Sequence, residues 1–167
     1  MNQPKPHRGG APVGYVAELD PIEAGAVLYL RLWCDGPESQ AVVWDDFTRV
    51  LGVDQGREAL KSLEQLCGLC VSYGRRPLMR HQVTCKCLGA DESCFANFVA
   101  AATEGEHEDA MLIATILVRA DMAPSLVGLA QSVGLALKRM TLRRAQNTGQ
   151  STARVADWDA RANQTYH

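Results

Sequence analysis

The stretch from Leu60 to Cys94 most constrains how this chain can fold, because it holds five of its six cysteines. Cys67 and Cys70 form a C-x2-C pair, and fourteen residues later Cys85 and Cys87 form a C-x-C pair. A segment of this length can fold back and bring both pairs to one point, as happens where thiolates hold a zinc ion. The spacing therefore predicts a structural Zn(II) site.

Two ligand sets are open for this site. The first consists of the two pairs, Cys67, Cys70, Cys85 and Cys87. The second is compact in sequence and consists of His81, Cys85, Cys87 and Cys94. In the second set the C-x2-C pair would be ordinary core, which is the usual environment of a free cysteine. A third alternative is that no metal binds, since short cysteine motifs often occur without one.

Size and composition indicate a folded globular chain. With 167 residues, 47% of them hydrophobic, the chain can bury a core without disulfide bonds. Its formal net charge is only -2, so bulk charge attracts neither nucleic acid nor a membrane. The N-terminus lacks the apolar region of a signal peptide, and no stretch approaches the roughly 20 apolar residues of a membrane span. We therefore expect a cytoplasmic protein with reduced cysteines.

Helical patterns precede the cysteine-rich stretch. The residues Asp20 to Glu23 combine a capping carboxylate, a proline and a glutamate three residues after the cap, which is typical of a helix start. A second helix is predicted from about Gln40 to Leu51 and ends at Gly52. Asp54 would cap a third helix, whose apolar stripe runs into the C-x2-C pair. Two helices joined by a short glycine-containing turn are typical of a helix-turn-helix.

Residues 47–54 (FTRVLGVD), 57–66 (REALKSLEQL) and 68–80 (GLCVSYGRRPLMR) resemble the winged-helix DNA-binding domains of bacterial transcriptional regulators. The resemblance covers about residues 21–84. It implies that the third helix reads DNA and that a β-hairpin, the wing, follows with strands at Leu69–Tyr73 and Leu78–Thr84. The DNA-binding residues expected on this basis are Gln55, Arg57, Lys61 and Ser62 on the helix, and Arg75, Arg76 and Arg80 on the wing.

Other features of the sequence limit this interpretation. Five carboxylates in or beside the same two helices would repel phosphate, namely Asp45, Asp46, Asp54, Glu58 and Glu64. Winged helices also serve as protein-interaction modules, so an adaptor is the alternative. Motifs of nucleotide-binding, zinc-protease or serine-hydrolase sites are absent, and no catalytic residue is predicted. A C-x2-C pair at the end of a helix is also poorly placed for thiolate chemistry, because the dipole there opposes ionisation.

The C-terminal half returns to helical patterns. A short helix is predicted from Cys94 to Ala102, and the segment Ala110 to Val118 is apolar on every side, so it should be buried. A last helix is predicted to begin near Pro124 and to end in four cations, Lys138, Arg139, Arg143 and Arg144. These helices present more apolar surface than a small domain covers, so we expect a homodimer.

Together these patterns predict a mainly α protein with four parts. These are a disordered arm (1–14), a winged-helix-like domain with a small β-hairpin (20–84), a cysteine-rich junction with C-terminal dimerisation helices (85–145), and a mobile tail (146–167). The predicted function is a zinc-binding, DNA-binding transcriptional regulator that could respond to metal or redox state. We expect neither a nucleotide cofactor nor a membrane partner.

Overall fold

A computed structural model describes residues 8–163, with side-chain surroundings for residues 8–149. In this part the chain forms six α-helices and two short strands. The helices are α1 (Pro21–Asp35), α2 (Pro37–Leu51), α3 (Val53–Tyr73), α4 (Ala90–Glu104), α5 (His107–Leu117) and α6 (Ala123–Asn163). The strands are β1 (Pro12–Tyr15) and β2 (Cys87–Gly89). The prediction of a mainly α fold with a small β element is confirmed.

The start of α1 is the one that the sequence predicts. The Asp20 carboxylate accepts hydrogen bonds from the backbone N–H groups of Ile22 and Glu23, both at 3.0 Å. The Glu23 carboxylate accepts from the Asp20 N–H in return, which completes a capping box. The helix ends at Gly36, whose φ of +132° lies in a region that favours glycine.

The helices α2 and α3 are joined by Gly52 alone, whose φ is +87°. A Cβ atom at Gly56 would lie 2.8 Å from backbone atoms of Thr48, so the two helices pack with their backbones in close approach. The helix α2 starts at Pro37, three residues before the predicted start, because proline is favoured in the first turn. The predicted pair of helices and its glycine turn are therefore present.

The predicted positions of the wing strands are wrong. Residues 69–73 belong to α3, and residues 78–84 form no strand. The helix continues because its apolar stripe continues through Cys67 and Cys70, which are both buried. The observed sheet instead pairs β1 with β2 in antiparallel fashion, with Tyr15 opposite Cys87. This sheet joins the N-terminal segment to the cysteine-rich stretch.

Both predicted termini differ from the structure where it describes them. Residues 8–14, expected in a disordered arm, form a 3-10 turn and most of β1; residues 1–7 lie outside the described part. The helix α6 continues to Asn163, although a mobile tail is predicted from residue 146. A polar stretch without proline can extend a helix that tertiary contacts have already nucleated. Residues 164–167 are also outside the described part.

One core joins the two parts that the sequence divides at residue 84. It runs from Ala26 in α1 to Met140 in α6 and includes Phe47, Phe95 and Phe98. The prediction of full burial is wrong for α5, where Leu112 and Ile116 are each 65% exposed while Ala110, Ala114 and Leu117 are buried. The difference arises because α5 lies at the edge of the bundle and buries only one face.

Residues Ala120–Gly149 are long and apolar enough to cross a membrane by length and composition. The most apolar window of this segment is 44% buried inside the protein. Core helices of soluble proteins pass the same test, so this property leaves the membrane prediction untested.

Candidate functional site

The structure divides the candidate metal ligands into two groups. Cys67 and Cys70 lie in the core beside Cys34, and we call these three residues the thiol cluster. His81, Cys85 and Cys87 form the second group, in the segment 81–89. Cys94 lies in α4, half-buried, beside Asp91 and Arg76. Within the described residues, no three His, Cys, Asp or Glu side chains are close enough to hold a metal ion as they stand.

A buried ion pair fastens the segment 81–89 to the core. Arg31 of α1 and Glu92 of α4 are 3% and 0% exposed. Their contact is bidentate, with Nε donating to Oε1 at 2.7 Å and Nη2 donating to Oε2 at 2.8 Å. Two charges that are buried together in this geometry compensate each other's lost hydration.

The same two side chains hold the backbone of the segment. Arg31 also donates to the carbonyl oxygens of Cys85 at 2.6 Å and Cys87 at 2.7 Å. Glu92 also accepts from the N–H groups of His81 and Gly89, both at 2.9 Å. The ion pair therefore sets the positions of the three candidate ligands in this segment.

The pKa values of this network reflect its hydrogen bonds. Burial alone would raise the pKa of Glu92, but Arg31 and the N–H groups of Gly89 and His81 outweigh burial, so the pKa lies below its ordinary value. Burial likewise opposes ionisation of Asp91, yet Arg76 and the Met79 N–H lower its pKa. Both carboxylates are therefore ionised at neutral pH.

The ring of His81 contacts a carbonyl oxygen on one side and a thiol on the other. Its Nε2 lies 3.1 Å from the carbonyl oxygen of Gly10, and its Nδ1 lies 3.6 Å from Cys85 Sγ. When Nε2–H donates to Gly10, the lone pair of Nδ1 points towards Cys85. Metal-ligating histidines usually donate their second ring N–H to a carbonyl or carboxylate in this way.

Cys87 lies close enough to Cys85 to hydrogen bond with it, and this contact raises the pKa of Cys87. Imidazole and thiolate are ligands that suit Zn(II). The donor set of His81, Cys85 and Cys87 thus fits zinc in its chemistry. Cys94 lies beside Asp91 and Arg76 instead, and in the described part of the chain no fourth donor is close enough to complete a metal site with these three residues.

The thiol cluster contains a cysteine that the sequence analysis missed. Cys34 is in the last turn of α1, where it meets Cys67. A hydrogen bond from the Cys67 thiol and the charge of Arg80 outweigh burial and lower the pKa of Cys34 to about 7. Burial raises the pKa of Cys70 to about 12, and the pKa of Cys67 is raised by its hydrogen bond to Cys34 and by burial. Cys34 is therefore the ionisable thiol of the cluster.

A cleft of about 370 Å³ opens above the thiol cluster. Its rim carries the three arginines that were predicted to lie on the wing, Arg75, Arg76 and Arg80. Arg80 Nη2 donates to the carbonyl oxygen of Cys34 at 2.8 Å, and Arg75 Nε donates to that of Thr115. Arg76 forms a bidentate pair with Asp91. These arginines are therefore part of a cleft and not of a hairpin tip.

The predicted DNA-binding residues of the third helix mostly face solvent. Gln55, Arg57 and Lys61 are exposed on α3, whereas Ser62 is half-buried and donates its hydroxyl hydrogen to the Glu58 carbonyl oxygen at 3.1 Å. The side chains expected to read DNA thus lie along the first half of α3.

The basic segment of α6, residues 138–144, lies in the middle of the helix and packs against the start of α3. Arg143 Nη1 donates to the Val50 carbonyl oxygen at 3.0 Å, and its Nη2 donates to Gln55 Oε1 at 3.2 Å. Arg144 contacts Tyr29 Oη and the Asp46 carboxylate. The sequence predicts only that these cations end a helix. No feature of the sequence predicts that they lie beside the α2–α3 turn.

No protein-family model matches this chain, and no curated protein or solved structure is significantly similar to it. Its function is therefore argued from the geometry of its own residues.

Proposed function

We propose that this protein is a non-enzymatic transcriptional regulator that binds DNA through the α2–α3 helix pair, in the manner of the winged-helix domains that its sequence resembles. The observation that carries the proposal is the contact of Arg143 with Val50 and Gln55. It brings the cations of α6 to the turn of the helix pair, where helix-turn-helix proteins meet DNA.

The charges around this turn support the proposal. Arg57 and Lys61 are exposed on α3, and Arg139 of α6 lines a shallow groove together with Gln55 and Ser62. One of the carboxylates expected to repel phosphate, Asp46, is paired with Arg49 and Arg144. A local group of cations can therefore bind phosphates although the whole chain is slightly acidic.

The proposed surface differs from the one that the resemblance implies, because Arg75, Arg76 and Arg80 surround the cleft. Sequence readout would depend on Gln55, Arg57 and Lys61 in the major groove. Lys138 and Arg139 would contact the backbone and position the helix without specifying sequence.

Binding to a pool of labelled duplex DNA, followed by fluorescence anisotropy over a range of salt concentrations, tests this proposal. We expect salt-sensitive binding, and we expect the double variant Lys138→Gln/Arg139→Gln to reduce the log–log salt slope by about 2, because both exposed cations are proposed to contact phosphates. Arg119→Gln is the control, because Arg119 is paired with Asp121 outside the helix pair. Wild-type protein without salt-sensitive binding to any duplex would overturn the proposal.

We further propose that His81, Cys85 and Cys87 provide three of the ligands of one Zn(II) site. The contact of His81 Nε2 with the Gly10 carbonyl oxygen and the anchoring of the segment 81–89 by Arg31 support this assignment. Bound zinc would stabilise the folded state, since a preformed metal site rarely exists in an unfolded chain. Metal analysis of the purified wild type and of His81→Ala tests it, with about one zinc per chain expected in the wild type only.

The second candidate function is a zinc-stabilised adaptor, and exposed apolar residues favour it. Leu112 and Ile116 are one turn apart on α5 and largely exposed. Exposed apolar patches mark protein interfaces, and this one also suits the homodimer that we propose. Sedimentation of the wild type and of Leu112→Gln/Ile116→Gln distinguishes a homodimer from an adaptor that binds another protein. A dimer lost in the variant supports self-association, while a monomer with a partner bound through α5 supports the adaptor.

A further inference from the structure

The cleft above the thiol cluster is a site of its own, separate from the proposed zinc and DNA surfaces. Its base carries Cys34 from α1 and Cys67 and Cys70 from α3. Leu30, Val71 and Leu78 contribute apolar walls. With a volume of about 370 Å³, the cleft can accept a molecule of the size of a small peptide.

The rim of this cleft can bind anions. Arg75 donates to Thr115 through Nε and Arg80 donates to Cys34 through Nη2, so the Nη groups of Arg75 and Nη1 of Arg80 take no part in these bonds. Guanidinium groups bind carboxylates through pairs of N–H groups. The cleft thus combines an ionisable thiol, apolar walls and donors for carboxylates.

We infer that this cleft binds carboxylate-bearing low-molecular-weight disulfides and that Cys34 is the residue they modify. The rim arginines would bind the carboxylates, and the apolar walls would pack against the carbon atoms next to the disulfide. Cys34 is half-buried beneath Arg80, so a disulfide held at the rim meets this thiol first. Cys67 and Cys70 are buried behind it.

The chemistry is thiol–disulfide exchange and needs no other reactant. The Cys34 thiolate attacks one sulfur of the bound disulfide, a bond forms between Cys34 and that sulfur, and the original S–S bond breaks. The second half leaves as a thiolate and takes a proton from water. The product is a mixed disulfide on Cys34.

Cys67 can then resolve the mixed disulfide, because it lines the same cleft as Cys34. Its sulfur attacks Cys34 Sγ, the Cys34–Cys67 bond forms, and the small thiol leaves with the proton of Cys67. In sum, one small disulfide is reduced to two thiols while the protein dithiol is oxidised. Cys70 takes no part in either step.

The test uses the full-length protein as purified and oxidised glutathione, with peptide mapping by mass spectrometry. We expect the wild type to form a Cys34–Cys67 disulfide and Cys67→Ser to accumulate glutathione on Cys34. Cys34→Ser should take up no glutathione in the cleft, and Cys94→Ser, the matched control outside it, should behave as the wild type does. Glutathione on Cys85, Cys87 or Cys94 with Cys34 unmodified would overturn the assignment.

The arginine rim is tested by comparing an anionic with a cationic disulfide. Cys67→Ser should react faster with oxidised glutathione than with cystamine, and adding Arg75→Gln should reduce this preference by about threefold to fivefold, as loss of one exposed ion pair does. Arg57→Gln is the matched control, because Arg57 is exposed on α3 away from the cleft rim. Equal rates of reaction of Cys67→Ser with both disulfides would rule out selection of anionic disulfides by the rim arginines.

Discussion

The thiol cluster and the segment 81–89 contain the same kind of side chain in opposite surroundings. Both lie against the last turns of α1, where Arg31 contacts the segment and Cys34, one turn later, belongs to the cluster. The cluster is packed in apolar core, which leaves Cys67 and Cys70 as thiols. The segment is held by Arg31 through its backbone, so its side chains remain accessible to a ligand. Burial and backbone anchoring, more than spacing in sequence, therefore decide what these cysteines can do.

The largest expected effect is on the anchoring ion pair. Glu92→Gln would leave the charge of Arg31 buried without its partner, and breaking such a pair costs about 3–5 kcal/mol. We expect urea denaturation to show this loss in the free energy of unfolding, and amide hydrogen exchange to accelerate in residues 81–89. Asp121→Asn, which breaks an exposed pair with Arg119, should change little.

A double variant keeps this prediction testable if Glu92→Gln fails to fold. Arg31→Met/Glu92→Met removes both charges, and apolar replacement of a buried pair is often tolerated. We expect it to fold but to retain fast exchange in residues 81–89, because the carbonyls of Cys85 and Cys87 lose their donor. Slow exchange there in the double variant would contradict the anchoring role.

The second prediction concerns metal content and separates the two groups directly. Cys85→Ser should lose bound zinc, whereas Cys67→Ser should retain it, because Cys67 lies in the thiol cluster. Metal analysis of freshly purified proteins measures the number of zinc ions per chain. Zinc lost from both variants would indicate that Cys67, Cys70, Cys85 and Cys87 close one site and that the division described above is wrong.

The third prediction is a pH dependence within the thiol cluster. The thiolate is the reactive form, so the rate of Cys34 alkylation by iodoacetamide should rise as pH increases through about 7. The groups that act on this thiol are Cys67 and Cys70 behind it and Arg80 above it. Cys70 should stay unlabelled near neutral pH because burial raises its pKa to about 12.

Arg80→Gln sharpens this third prediction. It removes a cation that lowers the pKa of Cys34, so the midpoint of the alkylation profile should move to higher pH. Labelled peptides are identified by mass spectrometry, with Cys34→Ser as the blank. A wild-type profile with its midpoint near the ordinary cysteine pKa of about 8.5 would contradict the proposed role of Cys67.

Local signals in the sequence were enough to predict some of the helices and turns. The capping residues Asp20 and Glu23 and the glycine at position 52 define α1 and the α2–α3 turn, because each acts within a few residues of itself. The end of α3 was predicted wrongly, since a short apolar run such as 69–73 suits a strand or a buried helix equally well. Its assignment depends on packing partners that are distant in sequence.

The site was less predictable for the same reason. Spacing predicted His81, Cys85 and Cys87 as candidate ligands, but Arg31, which positions their segment, is more than fifty residues away in sequence. Cys34 has no motif of its own, and only the packing of α1 on α3 brings it to Cys67. The sequence did contain one signal for the role of Arg31, since it is a charged residue on the apolar face of α1. A buried charge requires a partner.

The smallest expected effect is that of Cys94→Ser, and it tests whether the cysteines form two groups. Cys94 is half-buried beside Asp91 and Arg76 and packs against the edge of the core. Replacing a partly buried thiol by a hydroxyl should lower the free energy of unfolding by about 1 kcal/mol or less. Zinc content and the alkylation profile of Cys34 should both be unchanged. If zinc is lost instead, Cys94 is the fourth ligand, and the N-terminal turns of α4 must move towards the segment 81–89 when metal binds.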